Sequence, residues 1–189
     1  MLEAFFVSTG VVALGEMGDK TQLLALLLAA RFRKPAPIIA GIFVATVLNH
    51  AVAGALGAWL MRLIDPQWLR WLLGGSFLAV AAWMLVPDRA GDAPGVAPGR
   101  FGVFGITLVA FFLAEMGDKT QIATVMLAAR FDALAAVVLG TTLGMMLANV
   151  PAVLLGDKVM HWVPIRWVHG AAALIFAGLG VAVLAGVGS

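Results

Sequence analysis

A stretch of seven residues, Glu16-Met17-Gly18-Asp19-Lys20-Thr21-Gln22, returns letter for letter as Glu115-Met116-Gly117-Asp118-Lys119-Thr120-Gln121, each time inside a long apolar segment. The same 99-residue offset aligns Ala29-Ala30-Arg31-Phe32 with Ala128-Ala129-Arg130-Phe131, Gly41 with Gly140 and Gly57 with Gly156. Most of the repeated letters are polar or glycine, and apolar helices do not acquire such a pattern twice by chance. The chain is an internal duplication, so whatever one half folds into, the other half must build from the same plan.

Each copy carries three apolar segments. They fall at 5–30, 38–61 and 69–86, then at 103–129, 133–155 and 168–187, and crossing about 30 Å of hydrocarbon takes roughly 20 such residues. Over the 189 residues, 62% of side chains are hydrophobic and only 12% charged, against about half and a quarter in soluble domains. The expected fold is an all-α integral membrane protein of six transmembrane helices. Three spans per copy is an odd number, so the second copy enters the bilayer from the opposite side, giving two inverted three-helix repeats. Residues 1–87 form the first repeat, 88–100 a Pro- and Gly-containing linker and 101–189 the second repeat.

Several classes fall away. A net charge of +2 without basic runs excludes a nucleic-acid partner, and zero cysteines exclude disulfides, thiolate metal sites and cysteine nucleophiles. The first segment lacks a basic preamble and a clear cleavage site, so it is expected to be retained. Loop arginines and lysines set the orientation. Arg31, Arg33, Lys34, Arg89, Arg100, Lys158 and Arg166 share one face, against Arg62, Arg70 and Arg130 on the other. This places the central linker in the cytoplasm and both termini outside it. Trp59, Trp68 and Trp71 are expected at one interface, Trp162 and Trp167 at the other.

The duplicated motif carries the chemistry. On an unbroken helix Glu16, Asp19 and Lys20 share a face, Gln22 extends it and Thr21 points elsewhere, and the second copy repeats the arrangement. A charged group at mid-bilayer costs at least about 2.5–3.5 kcal/mol, so six of them need compensation. Glu16–Lys20 and Glu115–Lys119 ion pairs along the helix would supply part, leaving Asp19 and Asp118 over. Four carboxylates less two lysines leave two negative charges, matched by one divalent cation or by two protons. Such a site suits an antiporter. Oxygen donors favour Mn²⁺, Ca²⁺ or Mg²⁺ over softer metals. Met17 and Met116 are read as packing or lipid-facing. Gly18 and Gly117 either open the helix, freeing carbonyls for a cation, or allow close packing. Asn49, His50 and Asn149 lie on the middle spans and either approach the site or tie helices together.

These two Glu-x-Gly-Asp-Lys-Thr motifs, each on the first span of a three-span repeat, resemble the signature of the GDT-one family of cation–proton exchangers. The resemblance covers nearly the whole chain. It implies export of Mn²⁺, or Ca²⁺, against protons by alternating access. The cation would be held by Glu16, Asp19, Glu115 and Asp118, with Lys20, Thr21, Gln22, Lys119, Thr120, Gln121, Asn49 and Asn149 in support. No cofactor is expected, since the metal is the transported substrate. The compact length resembles bacterial members and suggests the inner (plasma) membrane. Partners are then the cation, protons and the bilayer, and a second copy of the chain is a candidate. Two rivals stand beside this: export of a small organic solute, and an intramembrane aspartyl protease with Asp19 and Asp118 as its dyad.

Overall fold

The structure is a computed structural model, and it describes residues 1–86, 102–156 and 165–186. The expected linker 88–100, with Arg89 and Arg100, lies outside the described residues, as do Lys158 and Trp162. Among the described residues the chain is entirely helical, with eight helices: α1 (Leu2–Glu16), α2 (Lys20–Phe32), α3 (Pro35–Leu63), α4 (Pro66–Met84), α5 (Gly102–Glu115), α6 (Lys119–Phe131), α7 (Leu134–Leu155) and α8 (Ile165–Leu184). Three helices are long and apolar enough to cross a membrane, Pro35–Leu63, Leu134–Leu155 and Arg166–Leu184.

Local chemistry sets the helix ends. Asp65 caps α4, its Oδ1 accepting from Gln67 N at 3.0 Å, and Pro66 follows at the first helical position, where a missing N–H costs nothing. Pro35 opens α3 in the same way. Helix α2 stops at Arg33, which turns left-handed (φ 52°) and donates its N–H to Ala29 O.

The apolar segments 5–30 and 103–129 are not single helices, and of the two roles open to Gly18 and Gly117 the structure takes the opening one. Each is cut inside the motif. α1 ends at Glu16 and α2 starts at Lys20, and α5 ends at Glu115 and α6 starts at Lys119. Gly18 and Gly117 take φ of 84° and 76°, values that strain any residue with a Cβ. Asp19 and Asp118 then restart the chain as N-caps in extended conformation.

The halves interlock rather than stand side by side. α1 packs chiefly on α7, and its counterpart α5 packs on α3, the counterpart of α7. Glycine allows both approaches. A Cβ on Gly140 would lie 2.5 Å from Phe5 O and 3.0 Å from Ser8 Cβ, and one on Gly41 would lie 2.9 Å from Phe104 O and 2.7 Å from Thr107 Cβ. Phe5 and Phe104, and Ser8 and Thr107, are themselves related by the 99-residue offset. Small residues at such crossings let backbones touch where lipid supplies no hydrophobic drive between helices. Likewise α4 packs on α8, where the equivalent residues Phe77 and Phe176 meet with ring centroids 6.1 Å apart. The duplication seen in the sequence is therefore also a symmetry of the contacts.

Candidate functional site

The two broken helices bring their breaks together in the buried interior. Glu16, Asp19 and Asp118 are all buried, and one carboxylate oxygen from each lies within 4.8 Å of the others. Asp118 belongs to the second copy of the motif and the other two to the first. Glu115 is buried as well (0% exposed) and lies within electrostatic reach of Asp19 and Asp118, although it is not one of that close trio.

The break explains the placement. Asp19 and Asp118 sit at the N-termini of α2 and α6, where the helix dipole stabilises negative charge. Glu16 and Glu115 end α1 and α5, whose last-turn carbonyls lack helical partners and favour a nearby cation. The turn is braced identically in both copies. Gly18 N donates to Gln22 Oε1 at 2.8 Å and Gly117 N to Gln121 Oε1 at 2.7 Å. Asp19 N and Asp118 N donate to Glu16 O and Glu115 O, each at 3.1 Å. The other end of Gln22, its Nε2, donates to Ala148 O at 2.9 Å, so this glutamine holds backbone at both ends.

Thr21 was expected to point away; instead its hydroxyl donates to Glu16 Oε2 at 2.6 Å, and Thr120 donates to Glu115 Oε2 at 3.3 Å. The turn re-aims α2 and α6, and with it their first residues. The expected ion pair of Glu16 with Lys20 along the helix is also replaced. Lys20 Nζ reaches across the repeats to Asp118 Oδ2 at 3.1 Å. Lys119 is buried beside α4, its Nζ 3.4 Å from Val86 O and 5.9 Å from the Trp83 ring centroid. Asn49 Nδ2 donates to Phe112 O at 3.2 Å, one turn before Glu115, and its Oδ1 lies 3.5 Å from Gln121 Nε2. Asn149 turns back on its own helix, Nδ2 donating to Met145 O at 3.1 Å. His50 is fully buried, and neither ring nitrogen has a hydrogen-bond partner among the described residues.

Glu16 Oε1 and Glu115 Oε1 are likewise buried without a hydrogen-bond partner among the described residues. Carboxylates up to 4.8 Å apart repel by about 3.5 kcal/mol per ionised pair at an effective dielectric near 20. A cation with metal–oxygen bonds of about 2.1–2.6 Å can bridge oxygens at that separation. Two buried carboxylate oxygens without hydrogen-bond partners among the described residues are what such an ion, or protons, would satisfy. Removing the Thr21 hydroxyl (Thr21→Val) should therefore leave Glu16 with one partner fewer and destabilise the fold by about 1–3 kcal/mol. Thr21→Ser should restore it, as thermal unfolding in detergent would measure.

Sequence reasoning passed over His169 on α8. Its Nε2 lies 2.8 Å from Met17 O, inside the first break.

An all-helical membrane protein with an acidic, buried, oxygen-only cluster at two broken helices is the architecture of a cation transporter. Comparison with known proteins gives the family. The profile of the divalent cation/proton antiporter GDT1 family matches residues 4–92 and 103–188, and the chain belongs to that family. It is accordingly a transporter and not an enzyme. A Vibrio cholerae protein named "Putative manganese exporter" is 48% identical over 93% of this chain and 88% of its own length. GDT1-like protein 3 of Oryza sativa subsp. indica is 28% identical over 96% of this chain and 73% of its own. The GDT1-like protein sll0615 of Synechocystis is 25% identical over 93% and 94%. No solved structure matches the chain.

Proposed function

We propose that this protein exports a divalent cation from the cytoplasm in exchange for protons, with Mn²⁺ as the foremost substrate and Ca²⁺ the second. The observation that carries this reading is the trio Glu16, Asp19 and Asp118, drawn from both copies of the motif and held within 4.8 Å. Glu115 completes a set of four carboxylates, and Lys20 and Lys119 balance two of the charges. The remaining two negative charges match one divalent ion or two protons, so that loading one expels the other. The 48% identity to a protein named as a manganese exporter supports manganese as the cargo, and no resident cofactor is assigned.

In this reading α1 with α2 makes one span, α5 with α6 another, and α3, α4, α7 and α8 the remaining four, giving two three-helix repeats (1–87 and 101–189) in inverted orientation. The exchanged packing of Gly41 on α5 and Gly140 on α1 supports a two-fold relation between them. Alternating access is then a rocking of the repeats about the central carboxylates. The protein sits in a bacterial-type inner membrane with the 88–100 linker cytoplasmic and both termini outside, exposed Trp59, Trp68, Trp71 and Trp167 lying at the interfaces. A homodimer is compatible with this arrangement.

Reconstituted liposomes test the proposal directly. An imposed proton gradient should drive uphill Mn²⁺ flux toward the acidic side, against the flow of protons, and Ca²⁺ run in parallel should be carried more slowly. Flux of neither ion responding to the gradient would end the exchanger reading, and faster Ca²⁺ flux would reverse the choice of substrate.

A further inference from the structure

The 99-residue offset extends beyond the motif into the last helix of each repeat: Trp68-Leu69-Arg70 on α4 aligns with Trp167-Val168-His169 on α8. His169 Nε2 lies 2.8 Å from Met17 O. A carbonyl only accepts, so the hydrogen is on Nε2 and the imidazole donates. The bond ties α8 to the first break, two residues before Asp19. Arg70 occupies the equivalent position, and its equivalent target is the carbonyl of Met116. Yet no hydrogen bond joins Arg70 to Met116 among the described residues. The Arg70 Nε is buried without a hydrogen-bond partner there, while Met116 is 58% exposed. The helices follow the same asymmetry, α8 packing on α1 while α4 packs on α6.

Alternating access rocks one repeat against the other about a fixed site, and unequal contacts at equivalent residues are what a single access state would show, with the roles of the halves exchanged in the other. We infer that His169 and Arg70 are alternating latches. His169 is a positioning residue that holds the Met17 turn in the present access state, and Arg70 takes the Met116 carbonyl in the opposite one. The inference rests on the alternating-access reading above. It adds two residues outside the acidic motif that set which side is open.

The chain has no cysteine, so single thiols report on each break without background. Both latches grip main-chain carbonyls, so Met17→Cys and Met116→Cys leave them intact. The purified protein without metal gives the parent labelling rate of each single-cysteine variant with a small maleimide. Adding His169→Ala should shift the population, raising Met17→Cys labelling several-fold while lowering that of Met116→Cys. Adding Arg70→Ala should move both rates the other way. His169→Gln, which keeps an N–H donor, should resemble the parent, whereas His169→Phe, which keeps only the ring, should resemble the alanine variant. The Gln and Phe variants decide the matter should His169→Ala fold poorly. Both labelling rates rising together, or His169→Phe matching the parent, would overturn the latch. Labelling does not depend on which ion is carried, so a failed latch leaves the exporter reading standing, and a failed flux assay leaves the labelling result intact.

Discussion

Asp118→Asn is expected to reduce metal–proton exchange by at least about 100-fold while leaving the fold nearly as stable as before. The two effects separate because Asp118 does two jobs with different atoms. Its Oδ1 caps α6, accepting from Lys119 N at 2.6 Å, and asparagine caps helices about as well as aspartate. Its Oδ2 meets Lys20 at 3.1 Å, and its charge is part of the cluster with Glu16 and Asp19. Asparagine removes that charge. Lys20 then loses its cross-repeat partner, and the net charge left for a cation falls from two to one. A divalent ion can no longer be matched, and each tenfold loss corresponds to about 1.4 kcal/mol of lost binding. Mn²⁺ flux in liposomes beside a melting curve in detergent measures both quantities. Unchanged flux at unchanged apparent affinity would remove Asp118 from the site.

The second large effect concerns the scaffold. Gly140→Ala should cost about 1–3 kcal/mol, or a fall in melting temperature on the order of 2–12 °C for a chain of this size. The added Cβ would stand 2.5 Å from Phe5 O and 3.2 Å from Phe5 C. Backbone atoms of a neighbouring helix cannot swing aside as a flexible side chain would, so α1 must move off α7. Movement of α1 also shifts Glu16 at its end, and flux should fall with stability. Gly75→Ala is the control, since nothing lies within 4 Å of a Cβ built there, and it should melt like the parent. Equal melting of the two variants would mean that α1 and α7 do not depend on their close approach.

Much of this was legible from the letters alone. The duplicated motif, the apolar segments and the scarcity of charge point to a helical membrane protein made of two equivalent halves. Four carboxylates with two lysines in apolar surroundings point to a cation-binding class. The offset even identifies Gly41 and Gly140 as equivalents, and they prove to make equivalent close contacts.

Other features were not legible. A helical wheel assumes an unbroken helix, and whether Gly18 and Gly117 pack or break depends on a positive φ that glycine permits but does not demand. Once the break forms, the wheel no longer holds. Thr21 turns toward Glu16, and Lys20 leaves the glutamate one turn before it for Asp118 in the other repeat. An alignment of the two halves also does not show which equivalent contacts are made in a given state. His169 holds Met17 while Arg70 does not hold Met116, and the packing of α8 on α1 is visible only in the tertiary structure. Residue types and spacing thus determined what kind of charge the protein must house. Long-range contacts between the two copies decided which charges meet, because the Lys20–Asp118 ion pair and the His169–Met17 bond join positions that sequence spacing does not relate.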